Sequence, residues 1–337
     1  MKPSPEYPAG PAILEALRLR ARGKQALSFD EFMDVALYDP VLGYYRKDGP
    51  RVGYGAGTDF LTATASAPLF GRLVTAACVR LLGPAAPAQF EFVEVGAEPG
   101  AGILRGNPHP FRSARTLGIG EPLRIEGPCI VFSNEVFDAQ PFRRLRFRAG
   151  EWRETGVSLG SGGLAEVEID AVLPAAVPLP RSAPEGYMID APFAAAALAR
   201  TIASQPWHGL FIAFDYGKSW EELAYGTPLG TARAYRSHSQ GNDLLAYPGG
   251  QDLTCHVCWD WLREALSGCG FADPRVDSQE AFFTRHAANF IEALTASEAG
   301  KLSREKLSLL QLLHPAHMGQ RFQVLWGLRP AQGLART

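Results

Sequence analysis

The sequence is poor in cysteine, in net charge and in long apolar runs, and each shortage excludes a class of protein. Five cysteines among 337 residues are too few and too scattered for a secreted disulfide scaffold. Its 33 basic and 35 acidic residues leave a formal charge of −2, without the basic surface that nucleic-acid binding requires. No apolar run approaches the ~20 residues of a membrane span, and the opening MKPSPEYPAG lacks the pattern of a secretion signal. We therefore expect a cytoplasmic protein with no membrane span and no nucleic-acid partner.

The arrangement of the cysteines also argues against a metal site. Cys255 and Cys258 form a C-x-x-C pair with His256 between them, a spacing that can hold zinc or support redox chemistry. A zinc site with four ligands would need a second close pair, and the sequence has none. We predict buried thiols and no metal.

The amino-terminal part, residues 1–85, is predicted to be helical and then glycine-rich. Residues 11–22 carry apolar side chains at helical spacing, and Ser28 with Glu31 forms a capping box for a second helix that ends near Tyr38. A glycine-rich stretch follows and becomes helical from about Pro68. Because long ordered loops are often functional, this stretch is a candidate binding loop, with a plain connection as the alternative.

The remainder, residues 86–330, has the pattern of an α/β domain. Short apolar runs bounded by glycine, proline or polar residues are typical of buried parallel strands, and they occur at 90–95, 129–132 and 210–214. Helical segments lie between or after these runs, at 190–204 and 258–267. This alternation favours a Rossmann-like α/β sheet with crossover connections.

A hairpin is predicted within the α/β domain. Residues 144–147 and 151–157 alternate between apolar and polar side chains and are joined at Ala149-Gly150, which is the pattern of an antiparallel pair. We expect the inserted segment, about residues 142–185, to form a cap of loops and a hairpin over the carboxyl ends of the sheet. In open parallel sheets, ligands bind at that edge.

The stretch FVEVGAEPGAG, residues 92–102, is typical of a nucleotide-binding turn. An apolar strand runs directly into Gly96, followed by Gly100 and Gly102, and such turns use glycine for tight bends and for close approach to a ligand. Glu98 stands where another glycine is expected. The sequence therefore predicts either a working cofactor site or the remains of one.

Polar side chains follow the other two predicted strands. Asn134, Glu135 and Asp138 come after the second strand, and Asp215 comes after the third. Carboxylates gathered at one edge need a basic or hydrogen-bonding partner, because burying an unpaired carboxylate is costly. An alternative interpretation is that Glu135 and Asp138 only cap the next helix.

Several longer motifs resemble one known family. The chain contains, in this order, FDEFMDVALYDPVLGYY, GTDFLTATASAPLFG, SNEVFDAQPF, FDYG, YPGGQDLTCHV and MGQRFQVL. From about residue 26 to 328 these motifs resemble the MidA-like S-adenosylmethionine-dependent methyltransferases, which include a mitochondrial protein-arginine methyltransferase. The resemblance implies a class I methyltransferase sheet, S-adenosylmethionine as cofactor and a protein as substrate.

The resemblance also implies roles for individual residues. The residues implied to bind the cofactor are Gly57, Asp59, Phe60, Thr62, Glu94, Gly96 and Gly100. The residues implied to bind or position an arginine substrate are Asn134, Glu135, Asp138, Asp215 and His256. His256 is also a candidate proton acceptor, because an ordinary imidazole has a pKa near neutrality. A satisfied structural histidine is the alternative.

The chain departs from the family on the cofactor side. After Gly102, the residues Gly106, Pro108 and Pro110 do not allow a helix of useful length, so the first crossover is predicted to be truncated. We expect the ribose-binding strand to be deleted and residues 114–120 to correspond to the family's third strand. Glu121 then remains as a possible ligand for the adenine amine.

Two hypotheses follow from these matches and departures. In the first, the protein is an active methyltransferase that acts on a protein arginine. In the second, it is a pseudo-methyltransferase whose substrate side binds a protein partner while the cofactor side has degraded. In either case, residues 292–313 are predicted to be helical and are a candidate surface for a homodimer.

Overall fold

The computed structural model describes residues 10–46, 67–98, 100–160, 163–169, 177–301 and 303–331. The α-helices of this part of the chain are α1 (Pro11–Arg20), α2 (Phe29–Tyr38), α3 (Ala67–Leu82), α4 (Phe193–Ala203), α5 (Trp220–Tyr225), α6 (Trp259–Ser267), α7 (Gln279–His286), α8 (Ala288–Ser297) and α9 (Arg304–Leu313). The β-strands are β1 (Leu27–Ser28), β2 (Glu91–Val95), β3 (Ser113–Leu117), β4 (Gly127–Asn134), β5 (Arg143–Arg148), β6 (Glu151–Gly160), β7 (Gly163–Ile169), β8 (Met188–Ala191), β9 (Trp207–Asp215), β10 (Gly217–Lys218), β11 (Arg233–Arg236), β12 (Ser239–Gly241), β13 (Asp252–Thr254), β14 (Val257–Cys258), β15 (Ala272–Ser278) and β16 (Gln323–Arg329).

The chain divides into two compact units, each built from three stretches of sequence. The first unit contains Met1–Phe60, Asp138–Ala195 and Lys218–Cys258. The second contains Leu61–Phe137, Ala196–Gly217 and Trp259–Thr337. The stretches of the two units alternate along the chain. The division predicted from the sequence, with a single boundary near residue 85, stays a prediction.

The second unit is built on a six-stranded sheet with the order β15-β16-β9-β4-β2-β3. Strands β3, β2, β4 and β9 run parallel, while β16 pairs antiparallel with β9 and β15 pairs antiparallel with β16. The three predicted apolar strands are confirmed as β2, β4 and β9, because continuous apolar runs are buried on both faces of a parallel sheet. The α/β fold class is confirmed.

Aromatic side chains form the core of the second unit. Phe92, Phe132 and Phe214 come from three neighbouring strands, and Phe70 of α3 contacts Phe214 with the ring centroids 5.2 Å apart. Each of these four side chains is almost fully removed from solvent. Burial of a phenylalanine side chain contributes about 1.5–3 kcal/mol, so this cluster holds the strand ends in place.

The predicted truncation of the first crossover is confirmed, but the identity of the remaining strand is not. Residues 100–112 contain no helix, and β3 pairs directly with β2, with Val95 opposite Leu117. In the order 3-2-1-4-5-6 of the Rossmann fold, the neighbour of the first strand is the second. The structure shows that β3 lies beside the first strand, and the assignment of residues 114–120 to the family's third strand, with the ribose-binding strand deleted, stays a prediction. Among the described residues, the sheet has one strand beyond β2, whereas the Rossmann order has two.

The largest sheet of the first unit is antiparallel. Strands β1, β6, β5 and β8 are neighbours in this order, and β7 also pairs with β6. The predicted hairpin is confirmed as β5 and β6, whose turn has Ala149 and Gly150 at positive φ. Its predicted position over the carboxyl ends of the parallel sheet stays a prediction.

The amino-terminal helices belong to the first unit. The capping box of α2 is present, with the Ser28 backbone N–H donating to Glu31 Oε2 over 3.1 Å, and α2 ends at Tyr38 as expected. Phe29 of α2 stacks on Phe142 with the ring centroids 5.2 Å apart. The apolar face of α2 therefore attaches the helix to the antiparallel strands.

The predicted helix over residues 292–313 is two helices in the structure. α8 ends at Ser297 and α9 begins at Arg304, with Gly300 between them at a φ of +72°. A left-handed glycine after a helix is a common terminator. The homodimer surface assigned to this segment stays a prediction.

Candidate active site

The turn after β2 keeps the backbone of a nucleotide-binding turn. Gly96, Gly100 and Gly102 have φ values of +83°, +73° and +143°, which L-residues rarely adopt. The Gly96 N–H donates to the Leu117 carbonyl over 2.8 Å, which fixes the turn to the end of β3. A Cβ at Gly96 would overlap the side chain of Val136. Glycine is therefore required at position 96 by both conformation and space.

Position 98 does not require glycine for its own conformation. The non-glycine residues with positive φ in the described chain are Glu135, Ala149, Ser237, His238 and Asp273. Glu98 is not one of them, so its side chain adds no backbone strain to the turn.

Glu94, near the end of β2, stabilises the glycine turn that follows this strand. Its carboxylate is buried and accepts a hydrogen bond from the Ile103 N–H over 2.8 Å. Burial raises its pKa to about 7, and the hydrogen bond from Ile103 opposes this shift only in part. Glu94 therefore supports the backbone of the turn from a buried position.

Glu121 lies just beyond the carboxyl end of β3, the strand next to the glycine turn. Its side chain is exposed, and Oε2 accepts a hydrogen bond from the Gly118 N–H over 2.9 Å. Rossmann folds place an acidic residue at the end of the second strand, about 20 residues after the glycines, to bind the ribose hydroxyls. Glu121 lies at the comparable place beyond β3, and its expected contact with the adenine amine stays a prediction.

The end of β4 carries a strained acidic residue. Glu135 has a φ of +52°, and its backbone N–H donates to the Phe214 carbonyl over 2.9 Å. The Asn134 side-chain amide donates to Glu135 Oε1 over 3.0 Å. A non-glycine residue in this region of φ is uncommon, and such residues cluster at functional sites.

The capping alternative for Glu135 and Asp138 is wrong. Residues 135–142, all of them described, contain no helix, and the next regular element is the strand β5. These carboxylates therefore have no helix to cap.

Asp215 at the end of β9 is fully buried. Its Oδ2 accepts a hydrogen bond from the Phe137 N–H over 3.0 Å, and its Oδ1 accepts one from the Tyr216 N–H over 2.9 Å. Both bonds involve the backbone of the site. This arrangement favours a role in holding the loops over direct contact with a substrate.

Asp138 belongs to the first unit and lies among residues that the sequence reasoning missed. Its backbone carbonyl accepts from the Cys255 N–H over 2.9 Å, while Tyr38 donates to the Ala139 carbonyl over 2.9 Å. Tyr45 donates to Asp252 Oδ1 over 2.7 Å, and its ring stacks on that of Tyr38 at 5.6 Å.

Burial, and then the charges of Asp252 and Asp138, raise the pKa of Tyr38 and of Tyr45 well above the ordinary value. Both tyrosines therefore stay protonated and act as hydrogen-bond donors. The signal that could have found Tyr38, Tyr45 and Asp252 was present, since all three stand in the motifs on which the family resemblance rests.

His256 also belongs to the first unit. Its backbone N–H donates to Thr231 Oγ1 over 3.2 Å. Burial, followed by the nearby charges of Lys218 and Arg233, lowers its pKa to about 4. This is far below the value on which the proton-acceptor role was based, so a neutral structural imidazole fits better.

Both cysteines of the C-x-x-C pair are buried free thiols. Within the described ranges, no group of three or more His, Cys, Asp and Glu side chains is placed to hold a metal ion.

The predicted site residues fall into three sets. In the second unit, the structure brings together Glu94, Gly96, Gly100, Glu121, Asn134, Glu135 and Asp215 at the carboxyl ends of β2, β3, β4 and β9. Asp138 and His256 lie in the first unit. The predicted loop residues Gly57, Asp59, Phe60 and Thr62 lie outside the described residues.

Comparison with known proteins points to S-adenosylmethionine-dependent methyltransferases. Residues 120–275 match the family described as S-adenosyl-L-methionine-dependent methyltransferase. A crystal structure from Burkholderia thailandensis that contains S-adenosyl-homocysteine superposes with a TM-score of 0.79 and 27% identity, covering 99% of this chain and 98% of that one.

These matches support a resemblance to the MidA-like S-adenosylmethionine-dependent methyltransferases. Two relatives of the family are named as mitochondrial protein arginine methyltransferases. NDUFAF7 of Danio rerio is 24% identical over 95% of this chain and 88% of its own length. Its homologue in Drosophila melanogaster is 25% identical over 93% of this chain and 84% of its own length.

The cytoplasmic location expected from the sequence is contradicted, because these relatives are named as mitochondrial proteins. The expected absence of a membrane span concerns a separate question. None of the helices in the described part of the chain is both long and apolar enough to cross a membrane.

Proposed function

We propose that this chain transfers a methyl group from S-adenosylmethionine to an arginine side chain of a protein substrate. The observation that carries the proposal is the combination, at one sheet edge, of a left-handed glycine turn after β2 and the strained Glu135 after β4. The names of the relatives support arginine as the target, and the Burkholderia thailandensis structure supports the cofactor.

The residues of the second unit fit this cofactor. Val136 occupies the space that a Cβ at Gly96 would fill, so only glycine lets the turn keep this backbone course. Glu121, at the position of the ribose acid, would accept hydrogen bonds from the ribose hydroxyls. When bound, the cofactor supplies an electrophilic methyl group on a positively charged sulfur.

Glu135 would bind the substrate guanidinium. A carboxylate accepts two parallel hydrogen bonds from the planar guanidinium fork, which aligns the nitrogen that attacks. The Asn134 amide, 3.0 Å from Glu135 Oε1, restricts the rotation of this carboxylate. Because methyl transfer is an in-line displacement, alignment and exclusion of water are the main contributions that the protein makes.

A pseudo-methyltransferase that binds a protein partner is the second candidate. One observation favours it: within the described residues, the sheet has a single strand outside β2, where the Rossmann order has two. The outer strand normally lengthens the wall of the nucleoside pocket, so its loss weakens binding on that side.

Calorimetric titration with S-adenosyl-homocysteine separates the two candidates. We expect saturable binding in the micromolar range, about −8 kcal/mol, and methylation of arginine-containing peptides but not of lysine-containing ones. Glu135→Gln should strongly reduce transfer and keep cofactor binding, with Glu126→Gln, an exposed residue of the same unit, as control. Absence of binding at millimolar ligand would reject the methyltransferase and favour the partner-binding protein.

A further inference from the structure

The turn that carries Glu135 is fastened at both ends to the end of β9. We call residues 135–137 the Glu135 turn. Its first N–H, from Glu135, donates to the Phe214 carbonyl over 2.9 Å, and its last, from Phe137, donates to Asp215 Oδ2 over 3.0 Å. The other carboxylate oxygen of Asp215 accepts from the Tyr216 N–H over 2.9 Å. One fully buried carboxylate therefore joins the turn to its own strand end.

The Glu135 turn needs this restraint. Glu135 has a φ of +52°, a conformation that persists only where the surroundings impose it. The Phe137 N–H is buried, and a buried donor without an acceptor is costly. Asp215 supplies that acceptor, and an ionised carboxylate is a stronger acceptor than a neutral group.

The same turn also reaches the glycine turn after β2. Val136, its middle residue, lies directly over Gly96, where an added Cβ would overlap it. A displacement of the Glu135 turn would therefore change both the substrate carboxylate and the wall above Gly96. Asp215 thus restrains both the Glu135 carboxylate and the wall above Gly96. It does so through the backbone of the Glu135 turn.

We propose that Asp215 is a positioning residue, which acts on methyl transfer by holding the Glu135 turn and not by binding the substrate. This inference rests on the function proposed above for Glu135. It replaces the substrate-binding role that the sequence implied for Asp215. The conservative variant Asp215→Asn keeps the size of the side chain but leaves only one acceptor oxygen for the two backbone donors.

Hydrogen exchange tests the restraint without any assay of activity. In Asp215→Asn, at least one of the amides of Phe137 and Tyr216 should exchange at least about tenfold faster than in the natural chain, the factor expected for loss of one hydrogen bond. In Asp215→Ala, which has no acceptor oxygen, both should. Amides in the middle of β4 should be unchanged. Asp260→Asn, at an exposed position of α6, serves as control. Unchanged protection of Phe137 in Asp215→Ala would overturn the proposal even if the protein proved to have no methyltransferase activity.

A double-mutant cycle on peptide methylation tests the route of action. Asp215→Asn should lower kcat/KM by about tenfold in the natural chain, but by less than about twofold in a Glu135→Gln background measured at high enzyme concentration. Equal losses in both backgrounds would overturn the proposal, because Asp215 would then act independently of Glu135. If the natural chain methylates no peptide, the function proposed for Glu135 fails, and the exchange experiment still decides whether Asp215 holds the turn.

Discussion

Replacing Glu94 with glutamine should make the protein more stable, and increasingly so as the pH rises. Glu94 is buried under the glycine turn, and burial raises its pKa to about 7 from the 4.5 of an exposed glutamate. Glutamine has nearly the same shape, and its Oε1 can still accept the hydrogen bond from Ile103. The substitution therefore removes the charge and keeps the contact.

The sign of the effect follows from proton linkage. Between pH 4.5 and about 7, folded Glu94 keeps its proton while the unfolded chain releases it, so the stability falls as the pH rises through this window. Above about pH 7 the full penalty applies. At about 1.4 kcal/mol per pH unit, a shift of roughly 2.5 units corresponds to about 3 kcal/mol.

Urea unfolding of both proteins at several pH values measures this difference. The free energy of unfolding of Glu94→Gln minus that of the natural chain should grow by about 2.5 kcal/mol between about pH 5 and pH 8. Glu126→Gln, at an exposed position, controls for the change of residue type. A difference that stays constant with pH would refute the reasoning, since Glu94 would then ionise equally in the folded and unfolded states.

Three further predictions concern the two units. Gly96→Ala should weaken S-adenosyl-homocysteine binding at least about tenfold, because it adds both strain and overlap with Val136. The control is Gly106→Ala, at a similar φ with open space around it. This variant should lose only about 1 kcal/mol of stability and still bind. Equal binding by both variants would place the cofactor elsewhere. The pKa of His256 is lowered to about 4, so its contribution to stability is complete above pH 6.5 and is lost as the pH falls toward 4. In urea unfolding, His256→Gln should therefore lose less of its free energy of unfolding than the natural chain between pH 6.5 and 4. An equal loss in both proteins would contradict the lowered pKa. Glu121→Ala should reduce the affinity for S-adenosyl-homocysteine more than the affinity for methionine, measured by calorimetric competition, and an equal loss for both would exclude a ribose contact.

Local patterns in the sequence determined most of the secondary structure near the site. The apolar runs became β2, β4 and β9, and the alternating segments became the hairpin of β5 and β6. The Ser28–Glu31 capping box began α2. These features depend on residues close in the chain, so their physical causes are visible in the sequence.

The order of strands was only partly predictable. Proline and glycine after Gly102 excluded a crossover helix, and the structure confirms this. Which side of β2 the short strand β3 would join depends on pairing between distant segments, which no local pattern specifies. The observed pairing places β3 beside β2, and its assignment to the family's third strand stays a prediction.

Chemical roles within the site were decided by the tertiary structure. Glu135, Asp138 and Asp215 look alike in the sequence, as acidic residues after strands. In the folded protein, Glu135 adopts a strained backbone, Asp215 is turned inward to two backbone N–H groups, and Asp138 belongs to the other unit. The sequence determined that acidic residues and glycines would follow these strands, since that depends on chain order. Burial and partner geometry depend on segments far apart in the chain, so only the tertiary structure decided which of these carboxylates holds the backbone.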